Sequence, residues 1–172
     1  MDRASPLPVL PSDPADPALA RDTEELYDAL EDLLRVYQFR DRDRICCFDV
    51  SVSQCYALEG LARRGGMTLN DLAAYLYLDK STASRVVDAL ERKGYVARSP
   101  HPKDGRAVLL AATPSGRKLE ATIRESILAE ERQLLADFAP EVRQAMTLLI
   151  RRLARAASAA VEAGGGSCCR IP

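Results

Sequence analysis

The sequence predicts a mostly α-helical fold of six helices with one small β-hairpin, an α+β arrangement. Ala, Leu, Arg and Glu dominate the composition, and these residues favour helix. Apolar residues recur at helical spacing through most of residues 21–163. Residues 95–112 depart from this pattern, because two β-suited runs flank a stretch rich in turn-forming residues there.

The bulk properties are those of a globular chain. Its 172 residues suffice for one domain with tails, and 47 % apolar with 28 % charged residues allow both a core and a wetted surface. No apolar run is long enough to span a membrane, and the N-terminus lacks the basic-then-apolar pattern of a signal peptide. We therefore expect a cytoplasmic protein without a membrane partner.

The two ends of the chain differ from the rest. Residues 1–20 are rich in proline, which disfavours helix and sheet ladders, so a disordered arm is expected. Residues 164–172 begin with three glycines, which predicts a flexible tail. Residues 21–163 between them form the predicted domain.

Capping residues and glycines mark the first four helices. The first helix is predicted over about 21–39, and a charged link follows at 40–50. Polar side chains that can accept from exposed backbone N–H groups precede the next three helices. These caps are Ser51 with Gln54, Thr68 with Asp71, and Asp79, and the glycines that end helices are Gly65, Gly66 and Gly94.

A hairpin and two long helices complete the domain. Residues 95–98 and 106–112 are the predicted strands, and Thr113 with Pro114 suits the N-cap and first position of a helix. Helical spacing then continues over about 114–163, with one break at Pro140. The turn formers between the strands are Pro100, Pro102, Asp104 and Gly105.

Two short helices followed by a hairpin, over about 51–113, are typical of a winged helix-turn-helix that binds double-stranded DNA. The net charge is only −1, but residues 80–118 contain nine Lys or Arg against three Asp or Glu. Acids are concentrated instead in residues 22–32. This asymmetry suits a DNA-facing module on an acidic helical body.

The fourth helix is the predicted recognition helix. Short polar and basic side chains let a helix backbone approach base edges, and a planar Arg can bond guanine at two acceptors, which favours Arg85 as the base reader. Lys80, Ser81 and Thr82 are expected to fix register on phosphates. In the hairpin tip, Arg106 suits a narrow minor groove. The predicted DNA-binding residues are Lys80, Ser81, Thr82, Ser84, Arg85, Lys103 and Arg106.

These residues make the chain resemble the MarR family of regulators. The matching positions are Leu72-Ala73, Leu76, Ser81-Thr82, Ser84-Arg85, Val87-Asp88, Leu90, Lys93-Gly94, Pro102-x-Asp104-x-Arg106, Leu109 and Thr113-x-x-Gly116. The resemblance implies an intertwined homodimer, built by the helices at about 21–39 and 114–163, on an inverted-repeat operator. It also implies a repressor released by a small ligand, an oxidant or a metal. Tyr77 departs from the family, which often has Gly there, so a strained or altered turn is expected.

Five cysteines form two clusters, and neither suits a structural disulfide set. Thiolates near a helix N-terminus select soft ions, so we expect the clusters to sense arsenite or mercury, or cadmium or zinc if the tail joins. Thiol oxidation, an aromatic ligand lined by Tyr27, Tyr37, Phe39 and Tyr56, and purely structural cysteines remain open. No obligatory cofactor is expected. The candidate metal ligands are Cys46, Cys47, Cys55, Cys168 and Cys169.

Two other classes of protein compete with a DNA-binding regulator. A thiol-dependent enzyme would need a nucleotide loop or a catalytic base near Cys46 and Cys47, and the sequence offers neither, so no enzyme is predicted. A winged-helix protein–protein adaptor would not need the basic side chains at Lys80, Arg85 and Arg106.

Overall fold

The structure is a computed structural model that describes residues 16–45, 47–101 and 104–163, except for the side chains at 41, 104–106 and 162. Within those residues the chain forms six helices and one antiparallel three-stranded sheet, which confirms the predicted fold class. The helices are α1 Pro17–Ile45, α2 Val52–Arg64, α3 Leu69–Tyr75, α4 Lys80–Arg92, α5 Pro114–Leu135 and α6 Pro140–Ala163. The strands are β1 Met67–Thr68, β2 Val96–His101 and β3 Asp104–Ala112.

Helix α1 is longer than predicted at both ends. It begins at Pro17, because proline at a first helical position loses no hydrogen bond, and Asp16 Oδ1 accepts from Ala18 N at 2.9 Å. It continues to Ile45 through arginines that favour helix. The predicted bounds of 21–39 are therefore wrong, and so is a link that starts at residue 40. The rest of the predicted arm, residues 1–15, and the tail at 164–172 lie outside the described residues.

The predicted caps of the next helices are confirmed. Capping boxes are present at Ser51 with Gln54 and at Thr68 with Asp71, and Asp79 caps α4. Gly65 and Gly94 have φ of 78° and 74°, the left-handed conformation in which glycine is unstrained. Local chemistry alone thus defines the starts of α2, α3 and α4.

The sheet has the order β1-β3-β2, so the returning strand of the hairpin is central. Val96 pairs with Ala112, and an irregularity in the register follows Pro100. Pro100 is tolerated because β2 is an edge strand. Strand β1, whose Met67 pairs with Leu110, was not predicted, since two residues are too few for an alternating pattern.

The core lies between α2, α3, α4 and β3. Ala83 and Val87 of α4 are buried on the side opposite its exposed polar residues, as predicted. The largest fully buried side chains are Ile45, Leu58, Leu61, Leu72, Leu90 and Leu110. This core holds α4 rigidly by its apolar face and leaves the other face to solvent.

The described residues divide into two compact units at Ala121, inside α5. The first contains the core and the hairpin, and the second contains most of α5 and all of α6. Large apolar side chains are exposed in both, on α1 in the first unit and on α6 in the second. No helix among the described residues has the length and apolar character needed to cross a membrane.

Candidate nucleic-acid interface

The turn before α4 has the backbone that a glycine would adopt. Tyr77 has φ of 52°, a left-handed conformation that is unfavourable for a bulky aromatic residue. Backbone bonds from Tyr77 N to Ala74 O at 3.2 Å and from Leu78 N to Ala73 O at 3.0 Å enforce it. The strained turn expected from the sequence is thus present, and the turn geometry is retained despite the missing glycine.

Asp79 organises the first turn of α4. Its carboxylate accepts from Thr82 N at 2.9 Å, from Thr82 Oγ1 at 2.7 Å and from Ser81 Oγ at 2.5 Å. These bonds hold the pKa of the Asp79 carboxyl far below its usual range, and the bond from the Ser81 hydroxyl has the largest effect. Each hydroxyl has one proton to donate, and both protons go to Asp79 in this arrangement. Ser81 and Thr82, predicted as phosphate ligands, therefore present acceptor lone pairs to their surroundings.

Two exposed cations, Lys80 and Arg85, lie in the first half of α4. Lys80 and Arg85 are exposed, Ser84 is half-buried between them, and neither cation pairs with an acid among the described residues. A guanidinium held on a rigid helix with no competing carboxylate can approach base edges. The structure thus groups the predicted base reader with the predicted phosphate ligands on one surface.

Arg98, in contrast, is paired with acidic side chains of the protein itself. Arg98 forms an ion pair with Asp88, and its Nε lies 3.2 Å from Glu91 Oε2. Both acids belong to α4, three residues apart, so they meet the hairpin on one helical face. This pairing was missed from the sequence, although acids at that spacing on a basic helix were a signal. Arg98 fastens β2 to the predicted recognition helix instead of adding to the free positive charge.

The hairpin that follows is only partly described. His101, the last residue of β2, is half-buried, and Arg106 belongs to β3. Lys103 and the side chain of Arg106 lie outside the described part of the chain, so the contacts predicted for them with DNA stay predictions.

The end of α4 is also fixed to the start of α5. Thr113 Oγ1 and Ser115 Oγ both donate to the Gly94 carbonyl oxygen, at 2.7 and 2.9 Å. Thr113 Oγ1 also accepts from Gly116 N at 3.1 Å, which confirms Thr113 as the N-cap of α5. A Cβ at Gly116 would lie 2.1 Å from Tyr95 O, so only glycine permits this close approach.

The two described cysteines differ in environment. Cys47 is exposed, and its thiol lies 3.9 Å from Asp43 O, whereas Cys55 is 7 % exposed on the inner face of α2. Among the described residues no three Cys, His, Asp or Glu side chains are grouped as metal ligands. Cys46, Cys168 and Cys169 lie outside those residues, so the metal site stays a prediction.

A groove of about 620 Å³ lies between α1 and α2. Tyr37 and Tyr56 line it as predicted, but Tyr27 and Phe39 do not. Its polar side chains, Gln38 and Arg42, were not predicted and come from successive turns of α1. The lining residues are Leu34, Tyr37, Gln38, Arg42, Val52 and Tyr56.

Comparison with known proteins agrees with this arrangement. The sequence profile of the MarR family matches residues 48–107. An uncharacterised HTH-type transcriptional regulator of Mycobacterium leprae is 36 % identical over 107 residues, which cover 62 % of this chain and 72 % of that protein. A MarR family protein from Bacillus stearothermophilus has the same fold, with a TM-score of 0.73 at 24 % identity, over 81 % of this chain and 97 % of that one.

A second solved structure, the MarR family transcription regulator SP03579, superposes with a TM-score of 0.71 at 25 % identity. The superposition covers 84 % of this chain and 98 % of that one. The matched proteins are transcription regulators and not enzymes, as predicted. The chain belongs to the MarR family of DNA-binding, winged-helix transcriptional regulators.

Proposed function

We propose that this protein represses transcription by binding an inverted-repeat operator as a homodimer, and that an effector releases it. The observation that carries the proposal is the surface of α4 on which Lys80 and Arg85 are exposed, with no acidic partner in the part of the chain that the structure describes. Arg85 would read a guanine edge in the major groove, while Lys80 would bind a phosphate. Lys103 and Arg106 would grip the adjacent minor groove.

Dimerisation is supported by apolar surface on the terminal helices. Exposed large apolar side chains on α1 are Leu19, Leu26, Tyr27, Leu33, Leu34, Val36 and Phe39, and those on α6 are Val142, Leu148, Leu149, Ile150, Leu153 and Val161. Surface of this kind marks a protein–protein interface. Two-fold symmetry would then set two recognition helices about one DNA turn apart.

DNA binding is tested with the full chain and duplexes from its own promoter region, read by fluorescence anisotropy at several salt concentrations. We expect affinity to fall steeply with salt, because Lys and Arg displace counterions from phosphates. Sedimentation of the free protein should give a dimer. A monomer, or equal affinity for promoter and unrelated duplexes at every salt concentration, would contradict the proposal.

For the effector we propose a soft metal or metalloid ion bound by cysteine thiolates. Support comes from the sequence clusters and from the exposure of Cys47. Anaerobic titration with arsenite, mercury, cadmium and zinc should produce sulfur-to-metal absorption and release DNA. The variant Cys46→Ser/Cys47→Ser/Cys55→Ser should lose both effects, and Cys168→Ser/Cys169→Ser tests the tail. Release that persists in both variants would exclude thiol sensing, including sensing by oxidation.

The groove between α1 and α2 favours an aromatic acid as a second candidate effector. Two tyrosines supply aromatic walls, and Arg42 supplies a cation for a carboxylate. A panel of benzoate derivatives should weaken DNA binding by the wild-type protein, and Arg42→Met should abolish the response while leaving ligand-free DNA affinity unchanged. If the panel has no effect on the wild type, the groove is not an aromatic-acid site.

A further inference from the structure

The C-terminal end of the recognition helix is tied to the link between α1 and α2. Lys93, the C-cap residue of α4, directs its ammonium group to Asp49, 44 residues earlier in the chain. Lys93 Nζ donates to Asp49 O at 2.6 Å, to Asp49 Oδ1 at 3.2 Å and to Gln54 Oε1 at 3.3 Å. Three acceptors match the three N–H donors of an ammonium group, so the side chain is fully engaged.

The acceptors belong to a segment whose conformation is itself defined. Gln54 Oε1 also accepts from Ser51 N at 3.2 Å, so the atom that caps α2 is shared with Lys93. Within the link, Phe48 N donates to Ile45 O at 2.9 Å and Val50 N to Phe48 O at 2.6 Å. Displacement of the link would therefore withdraw acceptors from Lys93, and movement of α4 would pull on the link.

We propose that Lys93 is a positioning residue, which transmits the conformation of the α1–α2 link to the recognition helix and so sets its pose on DNA. This inference rests on the proposed function. Lys93 acts through Arg85 and its neighbours. It does not contact DNA, because its N–H donors are occupied by Asp49 and Gln54 and because it lies at the C-terminal end of α4, opposite to Lys80. The link also contains Cys47, two residues before Asp49, so a chemical event there has a direct path to α4.

Reciprocity supplies the test. If the link biases α4, then DNA bound to α4 must alter the link by the same coupling free energy. Hydrogen exchange of the full chain, with and without a duplex selected by the wild-type protein from random sequences, reads this effect. We expect DNA to slow exchange of the amides of residues 48–51 in the wild type, and to leave it unchanged in Lys93→Met.

Affinity measurements separate positioning from charge. Lys93→Met should weaken binding to the selected duplex about tenfold and leave the slope of affinity against salt unchanged, because no phosphate contact is lost. Asp49→Asn should weaken binding in the same direction, and the double variant should be no weaker than Lys93→Met alone. Arg92→Met is the matched control, since it removes the same charge from an exposed position one residue away.

The outcomes divide clearly. Equal losses in Lys93→Met and Arg92→Met, or a changed salt slope for Lys93→Met, would make Lys93 an ordinary DNA-facing cation. If DNA does not change the hydrogen-exchange rates of the amides of residues 48–51 in the wild type, the coupling is overturned, even if Lys93→Met fails to fold. A wild-type protein that selects no duplex contradicts the proposed function instead.

Discussion

Arg98 of the hairpin and Asp88 of the recognition helix form an ion pair that joins the two parts of the protein expected to contact DNA. Arg98→Met should weaken operator binding about tenfold, because the hairpin loses its fixed orientation against α4. The free energy of unfolding should change by only about 1 kcal/mol or less, since Arg98 and Asp88 are partly exposed. Anisotropy and urea unfolding measure the two effects.

A double-mutant cycle checks this interpretation. Asp88→Asn and Arg98→Met should each reduce DNA affinity, and the combined variant should lose less than the sum, because both remove the same contact. Strictly additive losses would mean that the two side chains act independently on DNA.

Arg85 and Lys80 should differ in what they contribute to DNA binding. Arg85→Met should cost about 1–3 kcal/mol on the preferred operator and relax the base preference at one position per half-site. Lys80→Met should weaken binding to all sequences alike and reduce the salt slope by about one. Selection from random duplexes, repeated for both variants, makes the comparison. Unchanged base preference in Arg85→Met would remove its role as base reader.

Asp79 should make the free energy of unfolding depend on pH. Its folded-state pKa is depressed by hydrogen bonds from Ser81 and Thr82, so its contribution is complete above the unfolded-state pKa of about 4. That contribution is lost as pH falls through the folded-state pKa. Asp79→Asn keeps a capping side chain, so the wild type should be more stable at pH 7 and the difference should narrow below about pH 4. Urea midpoints between pH 3 and 7 measure it, and a constant difference would contradict the assignment.

Tyr77 should be a site where glycine stabilises the fold. Its φ of 52° costs free energy that glycine does not incur, although glycine loses more backbone entropy on folding. Tyr77→Ala removes the same ring without relieving the backbone, so it is the matched control. Tyr77→Gly should exceed Tyr77→Ala in unfolding free energy by about 1 kcal/mol. Equal stability of the two variants would show that the turn stores no strain.

Among the glycines that the structure describes, Gly116 should lose the most unfolding free energy when it is replaced by alanine. A methyl group there would lie 2.1 Å from Tyr95 O. Because Tyr95 O is a backbone atom, this clash can be relieved only if the start of α5 moves away from the base of the hairpin. We expect Gly116→Ala to cost about 3 kcal/mol in unfolding free energy. Gly94→Ala, with φ of 74° and open space around it, should cost about 1 kcal/mol. A loss at Gly116 no larger than at Gly94 would indicate that the junction is loosely packed.

The features that could be predicted from the sequence are local ones. Caps such as Ser51 with Gln54 and stops such as Gly94 act on neighbouring backbone groups, so their residue types reveal them. The exposed positions of α4 followed from helical periodicity in the same way.

Features that depend on contacts between distant residues could not be predicted. Lys93 pairs with Asp49, 44 residues away, and Arg98 pairs with Asp88, 10 residues away, so a count of charges along the sequence includes both in the positive surface. Strand β1 exists because Met67 meets Leu110, and no pattern within two residues can indicate that pairing. The protons of Ser81 and Thr82 were assigned to phosphates because their closeness to Asp79 depends on side-chain rotamers.

Thr68 belongs to two elements at once. Its backbone pairs with Leu109 in the sheet, and its hydroxyl accepts from Asp71 N at 3.2 Å to begin α3. A one-residue slip of β3 would therefore remove Leu109 from its place opposite Thr68 and turn the side chains of β3 to the other face of the sheet, while the local cap of α3 would still hold Thr68. Any redesign that lengthens the wing must consequently keep Leu109 opposite Thr68, because Thr68 is anchored in α3 and cannot follow a shifted strand.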